Sequence, residues 1–277
     1  RHHDLILDGF KRGHLTGCDA KKLAKAIEHK HTCIACGRMN TLRSKRKKQS
    51  QRPRATSPGK RLWLDLMEVD GSLGGFKCVL VIADDFSRMT FTKFLKRKSD
   101  ALDEFDEFLQ TTPLPKDATW DTVRVDGAGE LNSEKFVKMT AGHGAKRHEV
   151  SAPEESAGSN SVVERSTRDL AEMTRSEMGH FKAPPEFFCE CLQSACCEKN
   201  CSPASSNPDN KPPRMLWFDD DTPIDISRFE PFWAPCFARK KDSEIPRRNK
   251  VLARGDLGRF LSSAADLKSN GVLLSTG

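Results

Sequence analysis

The chain has 277 residues, enough for one medium-sized core with smaller modules beside it. No apolar run approaches the length of a membrane span and no secretory signal is visible, so the 10 cysteines read as reduced thiols or metal ligands rather than a disulfide framework. The net charge of +7 is unevenly placed: residues 1–60 carry 16 Lys/Arg against 4 Asp/Glu, and the remainder 30 against 35, so the basic character is a local arm. Such arms meet nucleic acid, or are solvated tails.

Residues 1–40 hold His2, His3, His14, His29, His31, Cys18, Cys33 and Cys36. Cys33-Ile34-Ala35-Cys36 has the spacing that supplies half of a tetrahedral zinc site, and two imidazoles would complete it. Ala20 to Ile27 has apolar positions at helical spacing, and a short helix there would bring the two halves together. So few large apolar groups build little core without a metal; the plain alternative is surface histidines and two unligated thiols. Residues 43–60 have no apolar period and form a basic linker, with Lys45, Arg46, Lys47 and Lys48 in its densest run. That run fits phosphate contact, a solvated tether or a nuclear localisation signal, and composition does not separate the three.

From Arg61 the pattern becomes that of a core. Residues 61–68, 76–84 and 88–96 are predicted strands, the second nearly all apolar and therefore central, with a hairpin turn from Gly71 to Gly75. A helix follows over Asp100–Leu109 with Ser99 as its N-cap. Residues 121–126 form a fourth strand, Ser133–Thr140 a helix and Ala145–Val150 a fifth strand. Three antiparallel strands followed by β-α-β units predict a mixed five-stranded α/β sheet with helices on its faces. Ser151 to Ser161 is a polar loop leading into a long helical pattern. Residues 184–201 carry Cys189, Cys191, Cys196, Cys197 and Cys201 without metal-site spacing or His partners, and read as a helix that uses cysteine as a small apolar residue. Residues 202–226, rich in Pro, Asn and Asp, read as a connection.

Three carboxylates stand out: Asp65 in the first core strand, Asp126 at the end of the fourth, and Glu164 at the start of the long helix. Carboxylates brought to one pocket need a counter-charge. A pair of Mg²⁺ ions on oxygen ligands is the usual answer, and paired metals suit in-line displacement at phosphate. Asp84 and Asp85 compete with Asp65 by residue type, although Asp-Asp before Phe-Ser-Arg88 more often shapes a turn and pairs locally. Glu68 and Glu130 are further acidic candidates; Glu130 also suits a cap on the next helix. Glu164, Arg168 and Glu172 are spaced one turn apart, as on a salt-bridged solvent face; alternatively Arg165 and Arg168 face phosphates beside the metals.

Trp63-Leu64-Asp65-Leu66, Val81-Ile82-Ala83-Asp84-Asp85-Phe86-Ser87-Arg88, Phe94-Leu95-Lys96-Arg97-Lys98-Ser99, Arg124-Val125-Asp126-Gly127-Ala128-Gly129-Glu130 and Val163-Glu164-Arg165 occur in this order. The series resembles the integrase core of copia-type LTR retrotransposons over roughly residues 14–260, with 37 residues between Asp126 and Glu164. The resemblance implies a ribonuclease-H-like fold and a D,D,E site of Asp65, Asp126 and Glu164, with Asp65 as the first carboxylate. It also implies a pre-integrase zinc module, in which His14 matches a Gly-His position; His3, with His2 next, is the choice for the fourth ligand beside Cys33 and Cys36. Phe232 to Arg239 and Gly258 to Leu261 resemble the small β module that follows such a core. The chain departs from the family's pattern at Ser161, where a Gly is usual, and at Phe188, where a Trp is common. It begins at Arg1 rather than Met, which predicts a piece of a longer polyprotein.

The expected organisation is a zinc module over 1–42, a basic linker over 43–60, the catalytic core over 61–201, and a connection with a small β module over 202–277. The expected function is nuclear: binding of DNA ends, then cleavage and strand transfer with Mg²⁺ or Mn²⁺, by a homo-oligomer on DNA with no membrane partner. The chain has no Tyr, which excludes a tyrosine recombinase. Two other readings remain, a non-catalytic DNA-binding remnant of an element and a ribonuclease cutting RNA–DNA hybrids. Thermal stability with and without Mn²⁺ discriminates the first, and a hybrid-cleavage assay the second.

Overall fold

The computed structural model describes residues 2–28, 53–114, 118–125, 129–150, 161–239, 255–263 and 270–274. In chain order the elements are α1 (His2–Lys11), β1 (Leu15–Thr16), α2 (Ala20–Glu28), β2 (Arg61–Glu68), β3 (Cys78–Asp84), β4 (Thr90–Leu95), α3 (Ala101–Thr111), β5 (Thr122–Val125), α4 (Glu134–Gly142) and β6 (Arg147–Val150). They continue with α5 (Ser161–Phe181), α6 (Phe188–Cys201), α7 (Pro213–Phe218), β7 (Ile224–Asp225), β8 (Pro235–Arg239), β9 (Gly255–Ser263) and β10 (Asn270–Leu274).

Among the described residues, β4-β3-β2-β5-β6 form a five-stranded mixed sheet. β2 pairs antiparallel with β3 and β3 with β4, while β5 runs parallel to both β2 and β6. β3 is buried along its whole length, as its unbroken apolar run requires of a central strand covered on both faces. The period-2 alternation of β2 sorts its side chains: Leu62 and Leu64 join one core layer, Trp63 and Met67 the other. The first layer is closed by α3 and α4 through Phe105, Phe108, Leu109 and Phe136. The second is closed by α5 and α6 through Val163, Leu170, Cys189, Leu192 and Cys196. Gly71 and Gly75, at φ 71° and 69°, make the turn between β2 and β3.

Three details depart from the sequence reading. A 3-10 turn over Lys98–Asp100 runs into α3, so Ser99 does not cap it; the Asp100 carboxylate instead accepts the Arg97 N–H at 3.0 Å. Ser133, not the Glu130 side chain, caps α4 by accepting the Phe136 N–H. Residues 202–226 are more than a connection. They contain α7, whose fully buried Trp217 enters the first core layer and meets Phe91 edge-on at 5.2 Å between ring centroids.

The same segment receives the N-terminal residues. Leu15 pairs in parallel with Ile224 and packs with Cys201, Met215 and Ile224, while Arg12 Nη1 reaches Asp209 Oδ1 at 3.2 Å and Asn210 Nδ2 donates to Asp8 Oδ2 at 2.8 Å. α2 covers the helix predicted between His14 and Cys33. β8, β9 and β10 form a three-stranded antiparallel sheet, the expected small β module. It packs on α6 through Phe232, Phe187 and Cys191, with Leu261 beside them.

Candidate active site

Asp65 lies on β2 between Trp63 and Met67, so the alternation turns it toward α5. It is half-buried and sits one residue beyond the last rung of the β2–β5 ladder, Leu64 opposite Val125. Parallel strands open a crevice at their carboxyl ends, where ligands bind in open α/β sheets. α5 is held over this point by Val163, Leu170 and Thr174, all fully buried on one helical stripe. In the second turn of the helix, Thr167 Oγ1 donates to Asp65 Oδ2 at 3.0 Å. Glu164 lies three residues earlier, so it and Thr167 share a helix face, and Glu164 is likewise half-buried. The hydrogen bond therefore ties α5, one turn beyond Glu164, to the strand that carries Asp65.

Asp126 lies outside the described residues; Val125, just before it, ends β5 beside Leu64. Arg165 and Arg168 are exposed on the first two turns of α5. Asp65 and Glu164 are hard oxygen donors and fit a divalent cation by type. Among the described residues no group of three or more His, Cys, Asp or Glu forms a metal-binding cluster.

Beside Asp65, Trp63, Arg124 and Glu149 form one row across β2, β5 and β6. The Arg124 guanidinium, 2% exposed, lies 4.8 Å from the centroid of the Trp63 ring and pairs with Glu149 at 2.8 Å. These residues, with Pro53, Arg61 and Val150, line a cleft of about 410 Å³.

Asp84 and Asp85 are structural. Asp84 accepts from the Gly59 and Ser87 N–H groups and the Ser87 hydroxyl at 2.6–2.8 Å, and burial pushes its carboxyl upward. Asp85 accepts from the Ala55 N–H at 2.7 Å and holds Arg61 and Arg88, each at 3.0 Å. Local pairing with Arg88, one of the two sequence alternatives, is what the turn does. Glu68 pairs with Lys98 at 2.6 Å. Under α5, the Lys199 ammonium donates to Thr90 Oγ1 at 2.8 Å and lies 3.4 Å from Ser166 Oγ. Burial pushes Lys199 down and Asp169 up.

His14 is buried, and its Nε2 lies 3.2 Å from the Asp209 carbonyl oxygen. A carbonyl only accepts, so Nε2 carries the proton. Cys33 and Cys36 lie outside the described residues, as does the side chain of His3. So do Lys45, Arg46, Lys47 and Lys48. In α6, Cys189, Cys191, Cys196 and Cys201 are buried among apolar side chains and unbridged, the small-apolar use expected of them. Burial pushes the Cys189 thiol up to about 11 and Cys196 to about 12, which keeps both inert as nucleophiles. Sequence reading missed Thr167 and the Trp63–Arg124–Glu149 row. Thr167 was findable as the polar residue one turn after Glu164; the row depends on strand register and carried no local signal.

A five-stranded sheet in the order β4-β3-β2-β5-β6, with helices on both faces and a carboxylate-bearing helix packed on the first core strand, is a ribonuclease-H-like α/β core. No family model matches the chain. The chain is 33% identical over 138 residues to the Retrovirus-related Pol polyprotein from transposon TNT 1-94 of Nicotiana tabacum, a match over 50% of this chain and 10% of that protein. The match supports the retrotransposon resemblance of the motifs, and it spans about a tenth of the relative's length. Solved structures with a similar backbone include the HTLV-2 integrase catalytic core domain in complex with magnesium, at 16% identity and TM-score 0.44 over 59% of this chain and 99% of that one. Another is the simian T-cell lymphotropic virus intasome in complex with PP2A regulatory subunit B56 gamma, at 16% identity and TM-score 0.49 over 94% and 90%.

Proposed function

We propose that the chain is the integrase segment of a retrotransposon polyprotein, which cleaves DNA phosphodiesters and joins the ends to target DNA. The observation that supports this reading is the Thr167–Asp65 hydrogen bond, which ties α5, one turn beyond Glu164, to Asp65 at the open end of the β2–β5 ladder. In this reading Asp126, the residue after Val125, completes the acidic trio.

Asp65 and Asp126 would hold both of two Mg²⁺ or Mn²⁺ ions, with Glu164 completing the second site. Bound metals supply activation of a water or DNA 3′-hydroxyl and stabilise the departing oxygen. Thr167 restrains the Asp65 carboxylate at Oδ2, so one ligand is oriented before any cation arrives. Arg165 and Arg168 would meet phosphates flanking the scissile bond, and Lys45 to Lys48 would hold the backbone farther out. Zinc would be held by His3, His14, Cys33 and Cys36. With Nε2–H on the Asp209 carbonyl, His14 would ligate through Nδ1, the carbonyl fixing the orientation of the zinc-bound imidazole. Assembly as a homo-oligomer on DNA in the nucleus, and the boundaries 1–42, 43–60, 61–201 and 202–277, belong to the same proposal.

The test is strand transfer by the purified chain on a DNA end with Mg²⁺ or Mn²⁺. Activity is expected with either ion and is expected to vanish in Asp65→Asn, Asp126→Asn and Glu164→Gln. Undiminished joining by Asp126→Asn would overturn the assignment.

A further inference from the structure

The C-terminal turn of α6 carries two cysteines that the proposed chemistry leaves unused. Cys197 and Cys201 stand four residues apart, one turn along the same helix face, and Cys201 is the last residue of α6. Cys201 is 3% exposed and packs with Leu15, Met215 and Ile224. Cys197 rests on the same cluster but is only half-buried, so one thiol of the pair meets solvent. The Cys201 thiol donates a hydrogen bond to the Cys197 sulfur, and the Arg214 guanidinium on α7 adds its positive charge. Together they hold the Cys197 thiol below its ordinary range. The same hydrogen bond, with burial, keeps the proton on Cys201. This end of α6 is also where the N-terminal segment docks. Leu15 joins Cys201 in the cluster, with Ile6 and Phe10 of α1 beside them. Gly9 of α1 lies so close to Pro203 that an added Cβ would come within 2.7 Å of the proline ring.

We propose that Cys197 is a site of oxidation by hydroperoxides, with Cys201 as its resolving thiol, and that their disulfide loosens the N-terminal segment from the core. A partly exposed thiolate beside a cation and next to a second thiol is the arrangement that peroxides oxidise selectively. The Cys197 thiolate attacks the O–O bond of the peroxide; an S–O bond forms, and the departing hydroxide takes a proton from solvent. Cys201 then attacks the sulfenic sulfur; the S–S bond forms, and the second hydroxide leaves as water with the Cys201 proton. The two sulfurs lose the electron pair that the peroxide gains. Closure needs the helix to give. Neighbours one turn apart keep their Cβ atoms about 5–6 Å apart, and a disulfide needs about 3.5–4.5 Å. Because Cys201 ends α6, only the last turn has to move, and the Ser202 N–H there already reaches back three residues to the Lys199 carbonyl at 3.3 Å. Drawing Cys201 toward Cys197 takes it away from Leu15 and shifts Pro203 against Gly9. The proposal goes beyond the integrase reading and needs neither Asp65 nor a metal.

The experiment treats the reduced whole chain with hydrogen peroxide and follows each cysteine by alkylation and peptide mapping. Before peroxide, Cys197 is expected to react with iodoacetamide at least about tenfold faster than Cys189 or Cys196, whose burial keeps them protonated. After peroxide, Cys197 is expected to be joined to Cys201. Limited proteolysis between α1 and α2 is then expected to quicken severalfold and to return to its starting rate with dithiothreitol. Cys201→Ala is expected to leave a sulfenic acid on Cys197 that dimedone traps, with proteolysis no longer responding to peroxide. Arg214→Gln, which keeps both thiols, is expected to slow Cys197 alkylation severalfold near neutral pH and to move its pH–rate midpoint upward. Three results would overturn the proposal: Cys197 alkylated no faster than Cys196, a peroxide-treated Cys197 left unbridged or bridged to a cysteine other than Cys201, or a peroxide response of proteolysis that survives in Cys201→Ala.

Discussion

Thr167 offers the sharpest test of the site. Thr167→Val keeps the β-branched shape and the helix while removing the hydroxyl that donates to Asp65 Oδ2 at 3.0 Å. A hydrogen bond to a charged acceptor contributes about 1.5–3 kcal/mol. Asp65 is half-buried, so water recovers part of the loss and the lower end applies, about 1.5 kcal/mol. If that energy orients the carboxylate for a cation, its loss weakens divalent-ion affinity roughly tenfold. The assay is a Mn²⁺ titration of strand transfer, read as the half-saturating ion concentration and the plateau rate. Thr167→Val is expected to shift the half-saturation about tenfold upward with a smaller change in plateau. Thr167→Ser, which keeps a hydroxyl, is expected to lie near wild type. An unchanged Mn²⁺ requirement in a folded Thr167→Val protein would refute the positioning role proposed for Thr167.

Other predictions concern the scaffold. Burial raises Glu177 to about 9 and Glu198 to about 7, with each other's charge adding to the rise at Glu177. Both values lie above the unfolded carboxylate range, so the native state holds the extra protons; stability is fullest at acid pH and is lost as pH climbs to about 9. Thermal melts of Glu177→Gln are accordingly expected to lose less between pH 5 and 9 than wild type, about as read by the linkage relation, and parallel curves would exclude the effect. Trp217→Ala is expected to destabilise the chain by about 3–5 kcal/mol, because Trp217 is fully buried in the first core layer. Melting unchanged from wild type would show residues 202–226 to be a mere connection. Gly17 has φ +90°, and an added Cβ would approach the Ser227 N to 2.7 Å and meet the Asp225 carboxylate. Gly17→Ala is therefore expected to loosen the β1–β7 pair by more than about 1 kcal/mol, visible as faster proteolysis between α1 and α2.

Much of the core was legible in the sequence because its signals are local. The apolar run Cys78–Asp84 had to be a central strand, and the alternation in β2 had to split Leu62 and Leu64 from Trp63 and Asp65, since a strand reverses its side chains every residue. The Asp84-Asp85 turn was readable as far as its local partners Ser87 and Arg88 go, while its bonds to Ala55, Gly59 and Arg61 were not. Helix starts were less legible. Ser99 has the right chemistry for a cap, but a 3-10 turn competed for the same residues.

By itself, then, the sequence determined the order and character of the strands, the uneven charge, and which carboxylates stand at strand or helix ends. Tertiary structure alone decided that Thr167 meets Asp65 across 102 positions, that Arg124 lies over Trp63 and pairs with Glu149, and that Trp217 returns from beyond α6 to fill the first core layer. It also decided that Leu15 pairs with Ile224. The physical reason is common to all four. Strand register and helix docking bring together residues that carry no mark of one another along the chain, and each contact exists only once the whole sheet has closed.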